Sequence, residues 1–185
     1  MKITKETIQL YKIREVGEMG WADISIDEGE QCGRISIASD WGNWQYFWGA
    51  CGCPFKEFLV HLKKDIHYTA NKFGAANWFD LDKTIEQIKR EILNYRRLHE
   101  ITAEKARTLY VEIKEIESEC TNSIHHFYAV FHASETLSAW YDEIPTHTGI
   151  EPSFKVFWEK AYLPFCDELQ KELQKELNHA KAEAV

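Results

Sequence analysis

Nowhere in the 185 residues does an apolar run approach the roughly 20 that a membrane-spanning helix needs, and the opening MKITKETIQL lacks the apolar core of a secretory signal. These absences make the cytoplasm the expected compartment, without a membrane partner. The five cysteines are then expected to be mostly reduced, and their odd number fits poorly with a complete disulfide framework. Positive charge is scarce as well: 22 Lys and Arg against 30 Asp and Glu leave a formal net charge of -8. Binding a phosphate backbone draws on clustered cations that release counterions, and Lys63-Lys64, Lys89-Arg90 and Arg96-Arg97 are too short to supply it. Direct nucleic-acid binding is therefore not expected. No GxSxG, P-loop or GxGxxG is present, no internal repeat or low-complexity tract appears, and no cofactor is implied.

What is present is 44% hydrophobic residues, with 14% aromatic, enough to build a substantial core. A single domain is expected over residues 1–185, its β-sheet region covering 1–53 and its helical region 54–185. Residues 6–50 read as four short β runs, TIQLYKI, WADISID, GRISIAS and NWQYFW, broken at GEMG, DEGEQCG and DWGN. The polar alternate positions imply a sheet covered on one face. From Phe55 the period becomes helical, with Phe55, Phe58, Leu59 and Leu62 forming a lid that runs toward Lys72 and stops at Gly74. The expected fold is α+β: an N-terminal four-stranded antiparallel meander covered on one face by helices, then a mostly α-helical C-terminal two-thirds.

Two readings of residues 82–120 follow from their three-and-four spacing. One is a single coiled-coil helix. The other, favoured here, is an antiparallel hairpin broken near Glu100–Thr102, where Thr102 is an N-cap and Ile101 with Ala106 sits at the staple positions. A further helix is expected over 124–144, and a last one with a kink or interruption at Pro164.

The strand NWQYFW raises the main question, whether Trp44, Tyr46 and Trp48 are core or an exposed binding face. A two-residue turn at Trp41-Gly42 places the rings on the isoleucine face. A three-residue loop Asp40-Trp41-Gly42 places them on the Ser36/Ala38 face, because a slip of one residue reverses every side chain. Burying each ring is worth roughly 1.5–3 kcal/mol, which favours core. Trp41 lies at the turn tip in either register and is the candidate exposed contact.

Candidate chemistry is sparse. The two-residue register sets Cys32 opposite Cys51 with Cys53 nearby, but CxC plus one remote cysteine lacks the paired CxxC spacing of a structural zinc site. His125, His132 and Glu135 fall within about one quadrant of a helix advancing roughly 100° per residue, a candidate metal set for a metal-dependent enzyme. No HExxH or second carboxylate-His repeat completes it. Glu115, Glu117 and Glu119 crowd a helix C-terminus, where the macrodipole disfavours anions, and form a candidate acidic contact for a basic partner. The surplus rings admit a third reading, a small-molecule or nucleotide pocket between sheet and helices.

The runs ISIASDWGNWQYFWGACGCPFKEFL, ITAEKAR and SFKVFWEKAYLPFCDEL resemble a group of small accessory proteins encoded by tailed phages and prophages, in which an SD-aromatic-G turn precedes an aromatic-x-Tyr-x-Trp-Gly strand. The resemblance spans most of the chain. It implies a binding protein, not an enzyme, acting on a host or phage protein with a basic surface. Inhibition of a bacterial defence complex is the outcome such proteins often have, and the contact residues expected here are Trp41, Glu115, Glu117 and Glu119.

Overall fold

In strand β1 (Gln9–Arg14) the inward residues are Tyr11 and Ile13, while Leu10 is exposed. Alternation read from sequence points Ile8 and Leu10 inward instead. Tyr11 takes the inner face because its ring meets Phe165 edge-on at 5.1 Å and its hydroxyl donates to Glu172 at 2.8 Å. Strands β2 (Trp21–Glu28), β3 (Gly33–Ser39) and β4 (Gly42–Trp48) complete an antiparallel sheet in the order β1-β2-β3-β4. A computed structural model describes residues 3–5, 7–14, 20–141 and 143–183, the side chain of 183 excepted. The GEMG break expected before β2 lies outside the described residues except for Gly20.

The β3–β4 ladder follows neither expected register. It pairs Ser39 with Gly42, Ile37 with Trp44, Ile35 with Tyr46 and Gly33 with Trp48, leaving Asp40-Trp41 as the two-residue turn. Neither turn residue has positive φ. Gly42, at φ 153°, takes the unusual conformation in their place. Ser39 Oγ accepts from the Gly42 N–H and donates to its carbonyl, and Asp40 accepts from the Trp21 N–H, so side chains clamp a turn that its backbone alone would not select. The parity still puts the rings on the isoleucine face. Trp44 and Trp48 are 8% and 5% exposed, Tyr46 is half-buried, and Phe47 between them is 53% exposed.

Packing divides the chain into two compact units, a sheet unit of Met1–Ala76 with Ile150–Val185 and a helical unit of Asn77–Gly149. The transition from strand to helix near residue 53 is not the line along which packing divides.

In the sheet unit, helices α1 (Phe55–Leu62) and α2 (Ile66–Lys72) replace the single helix expected. Asp65 breaks it by capping α2, accepting from the Tyr68 N–H at 2.8 Å. Gly74 ends α2, as expected. Phe55 packs straight onto Gly33, where an added Cβ would lie 2.3 Å from the ring, so the close approach of α1 to the sheet requires glycine there.

The helical unit begins with β5 (Trp78–Phe79), followed by α3 (Leu81–Arg97) and α4 (Ala103–Glu119), the hairpin reading of residues 82–120. Thr102 Oγ1 accepts from the Lys105 N–H at 3.1 Å, and Ile101 is buried beside partly buried Ala106. The stop before it has no signal in the sequence. His99 sits at φ 59°, the Glu100 N–H returns to Tyr95 O and the His99 N–H to Arg96 O, closing a Schellman motif with histidine where glycine is usual. His99→Gly is expected to raise stability by about 1 kcal/mol and His99→Val to lower it, read from thermal midpoints.

The helix expected over 124–144 is two, α5 (Ile124–Ala133) and α6 (Glu135–Trp140), because Ser134 leaves the helical region (φ -81°, ψ 113°) to cap α6, accepting from the Leu137 N–H. Strand β6 (Thr148–Gly149) pairs with β5 and closes the unit.

The chain then rejoins the sheet unit, where the Glu151 N–H bonds Ala75 O at 2.8 Å. Helix α7 (Pro152–Phe157), a π-turn (Trp158–Tyr162) and α8 (Leu163–Glu183) form one run. The interruption expected at Pro164 is that π-turn. The Leu163 N–H reaches back to Trp158 O, resetting the hydrogen-bond ladder one residue before the proline that cannot join it. The sheet-unit core joins Ile24, Ile26, Ile35, Ile37, Trp44 and Trp48 to Phe55, Leu59, Phe154, Phe157 and Tyr162. No helix among the described residues is long and apolar enough to cross a membrane.

Candidate functional site

Helix α4 carries Glu112, Glu115 and Glu119 at i, i+3 and i+7, a spacing that lines them along one face. That face borders a groove of about 360 Å³ whose other wall is the α5–α6 junction, with Val130, Ser134 and Glu135. Ser134 Oγ donates to the Glu112 carboxylate across the groove while also capping α6, so one residue fixes both the wall and a carboxylate. The floor is Ile116, which is buried. Among the described residues, none that is basic lines the groove.

Of the three acidic residues singled out in the sequence, Glu115 and Glu119 are exposed at the groove. Glu117 points elsewhere and pairs with Lys89 of α3 at 2.5 Å. Glu112 escapes the sequence reading, although its spacing from Glu115 and Glu119 is readable there. The last turn of α4 has no basic residue, so the helix end keeps its unfavourable charge. Neighbouring Cys120 has its thiol pushed up by burial and by Glu119.

His125 and His132 are exposed, and Glu135 belongs to a different helix from both. The count of 100° per residue therefore fails across Ser134, and this metal set is corrected: among the described residues no group of three or more His, Cys, Asp and Glu is placed to hold a metal ion. His132 instead stacks on Tyr128, with centroids 6.1 Å apart.

Trp41 sits at the β3–β4 turn tip of the sheet unit but is half-buried, its ring 6.3 Å from Phe157. Cys32, Cys51 and Cys53 are free, half-buried thiols. The observed register does not pair Cys32 with Cys51, although the Cys51 N–H bonds Gln31 O. Burial, then the neighbouring Cys53 and Cys32, pushes the Cys51 thiol up, away from the thiolate that nucleophilic or metal chemistry needs. The surplus aromatics of the sheet unit are engaged with one another: Trp44 lies 4.8 Å from Phe157 and 5.1 Å from Phe154, and Trp48 lies 4.7 Å from Tyr46 and 5.4 Å from Phe58.

No match was found among curated proteins or among solved structures. A family model described as a phage family matches residues 1–175, nearly the whole chain. The protein belongs to that phage family.

Proposed function

We propose that this phage protein is a non-catalytic binding protein whose helical unit takes a basic surface of a host or phage protein in the groove of Glu112, Glu115, Glu119 and Glu135. Trp41 is a further contact, offered by the sheet unit. The observation that carries the reading is the convergence of four carboxylates, three from α4 and one from α6, on a groove with no cation among the described residues that line it. Like-charge neighbours oppose that arrangement, and the helix dipole opposes Glu119 in the last turn of α4. A surface of this sign suits a protein whose own basic groove holds nucleic acid, which is how occupation of that groove inhibits a bacterial defence complex.

The test pairs binding with stability. Glu115→Lys/Glu119→Lys is expected to abolish salt-sensitive capture of a specific partner from host lysate. The Glu119→Lys change, in the last turn of α4, is expected to stabilise the protein by roughly 0.3–1 kcal/mol through the helix dipole. Capture that survives the double reversal contradicts the proposal.

A further inference from the structure

The helical unit holds a second concavity, of about 720 Å³, bordered by α3 and the segment that ends α6. Gln87, Glu91 and Tyr95 recur at i, i+4 along α3, and Trp140 and Tyr141 close α6. Tyr95 and Trp140 meet edge to face, centroids 5.3 Å apart at 86°, and so make a rigid aromatic corner. Glu91 lines the same space, with one carboxylate oxygen held by Gln87 Nε2 at 2.6 Å, and exposed Glu143 stands at the rim. Tyr141 packs its ring against Phe131 at 5.9 Å, and its buried hydroxyl lies beside Glu91; burial first, then that carboxylate, pushes its pKa up. Among the described residues, no Lys or Arg lines the pocket.

We propose that this pocket binds an arginine side chain of a protein partner. Aromatic faces attract a cation through the ring quadrupole, and a carboxylate beside them supplies the acceptor that a guanidinium fork engages in two parallel hydrogen bonds. A planar group stacks on Trp140 while its N–H groups reach Glu91. The flat aromatic wall favours arginine over lysine, whose compact, strongly hydrated ammonium does not stack. The volume exceeds one side chain and leaves room for the partner backbone on either side. The proposal rests on the reading that the partner is basic, and it adds a specific recognition element to the diffuse charge of the groove.

The probe is Nα-acetyl-arginine N-methylamide, titrated into the ¹⁵N-labelled full chain. The Trp140 indole N–H signal is identified by its loss in Trp140→Phe. A saturable shift of that signal is expected, weakened about tenfold when the neutral citrulline analogue replaces arginine and in Glu91→Gln. Glu143→Gln, at the exposed rim, is expected to weaken it less, and unchanged remaining indole signals report that each variant is folded. No saturable shift, or an equal shift with citrulline, overturns the proposal. A silent Trp140 with partner capture intact overturns the pocket alone, whereas a responsive Trp140 with no capture overturns the groove reading alone.

Discussion

Trp48→Ala is expected to lose about 3–5 kcal/mol, while Phe47→Ala, one residue away, stays within about 0.5 kcal/mol of the parent. Trp48 is almost fully buried, its ring lies within 4.7 to 6.1 Å of Tyr46, Phe55, Phe58 and Phe73, and its Nε1–H donates to the Tyr68 hydroxyl at 3.1 Å. Removing the indole opens a cavity that four aromatic neighbours cannot all collapse into, and strips Tyr68 of its donor. Domains are stable by only about 5–15 kcal/mol, so the loss takes a large share of the total. Phe47 faces outward under Arg34, whose guanidinium carbon lies 5.9 Å from the ring centre, and its truncation removes little buried area. Urea midpoints of the two variants read the parity of β4 directly. Equal losses would mean that the strand presents its rings differently.

That parity is legible in the sequence, but the register is not. Burial energy favours placing three large rings on the isoleucine face, and the fold does so. The turn defeats a reading from backbone preference because the hydrogen bonds of Ser39 and Asp40 hold Asp40-Trp41 without positive φ, a side-chain effect that the preference of turns for glycine does not contain. The hairpin of α3 and α4 is legible from the Thr102 cap and the Ile101 staple. Its stop is hidden because a histidine occupies the left-handed position where a glycine would have announced the end. Asp65 and Ser134 split two expected helices for a shared reason. A short polar side chain inside an apolar period reads as a solvated position until its bond to the N–H three residues on is seen.

The candidate site is partly legible. Charge at the end of α4 draws attention to Glu115 and Glu119, but sequence cannot tell that Glu117 turns to Lys89 or that Glu135 comes to the groove from another helix. The pocket of Glu91 and Trp140 needs residues some fifty positions apart, which no local spacing announces. Two-residue strands such as β5 and β6 lie below what periodicity detects, so the insertion of the helical unit into the sheet unit is invisible to it.

The second large effect follows from that insertion. Replacing residues 77–149 by a short glycine linker is expected to leave a folded sheet unit, because its core is contributed entirely by residues on either side of the insertion, and Ala75 and Glu151 already meet in a backbone hydrogen bond. Cooperative denaturation and retained near-ultraviolet tryptophan signals would report that fold. The acidic groove and the arginine pocket leave with the excised segment.

Partner capture by this shortened chain, beside the full chain, is the most direct test of where binding resides. The expected result is a folded protein that no longer holds the partner, with Trp41 alone too small a contact to retain it. Full-strength capture by the folded, shortened chain would contradict it and move the binding face to the sheet unit.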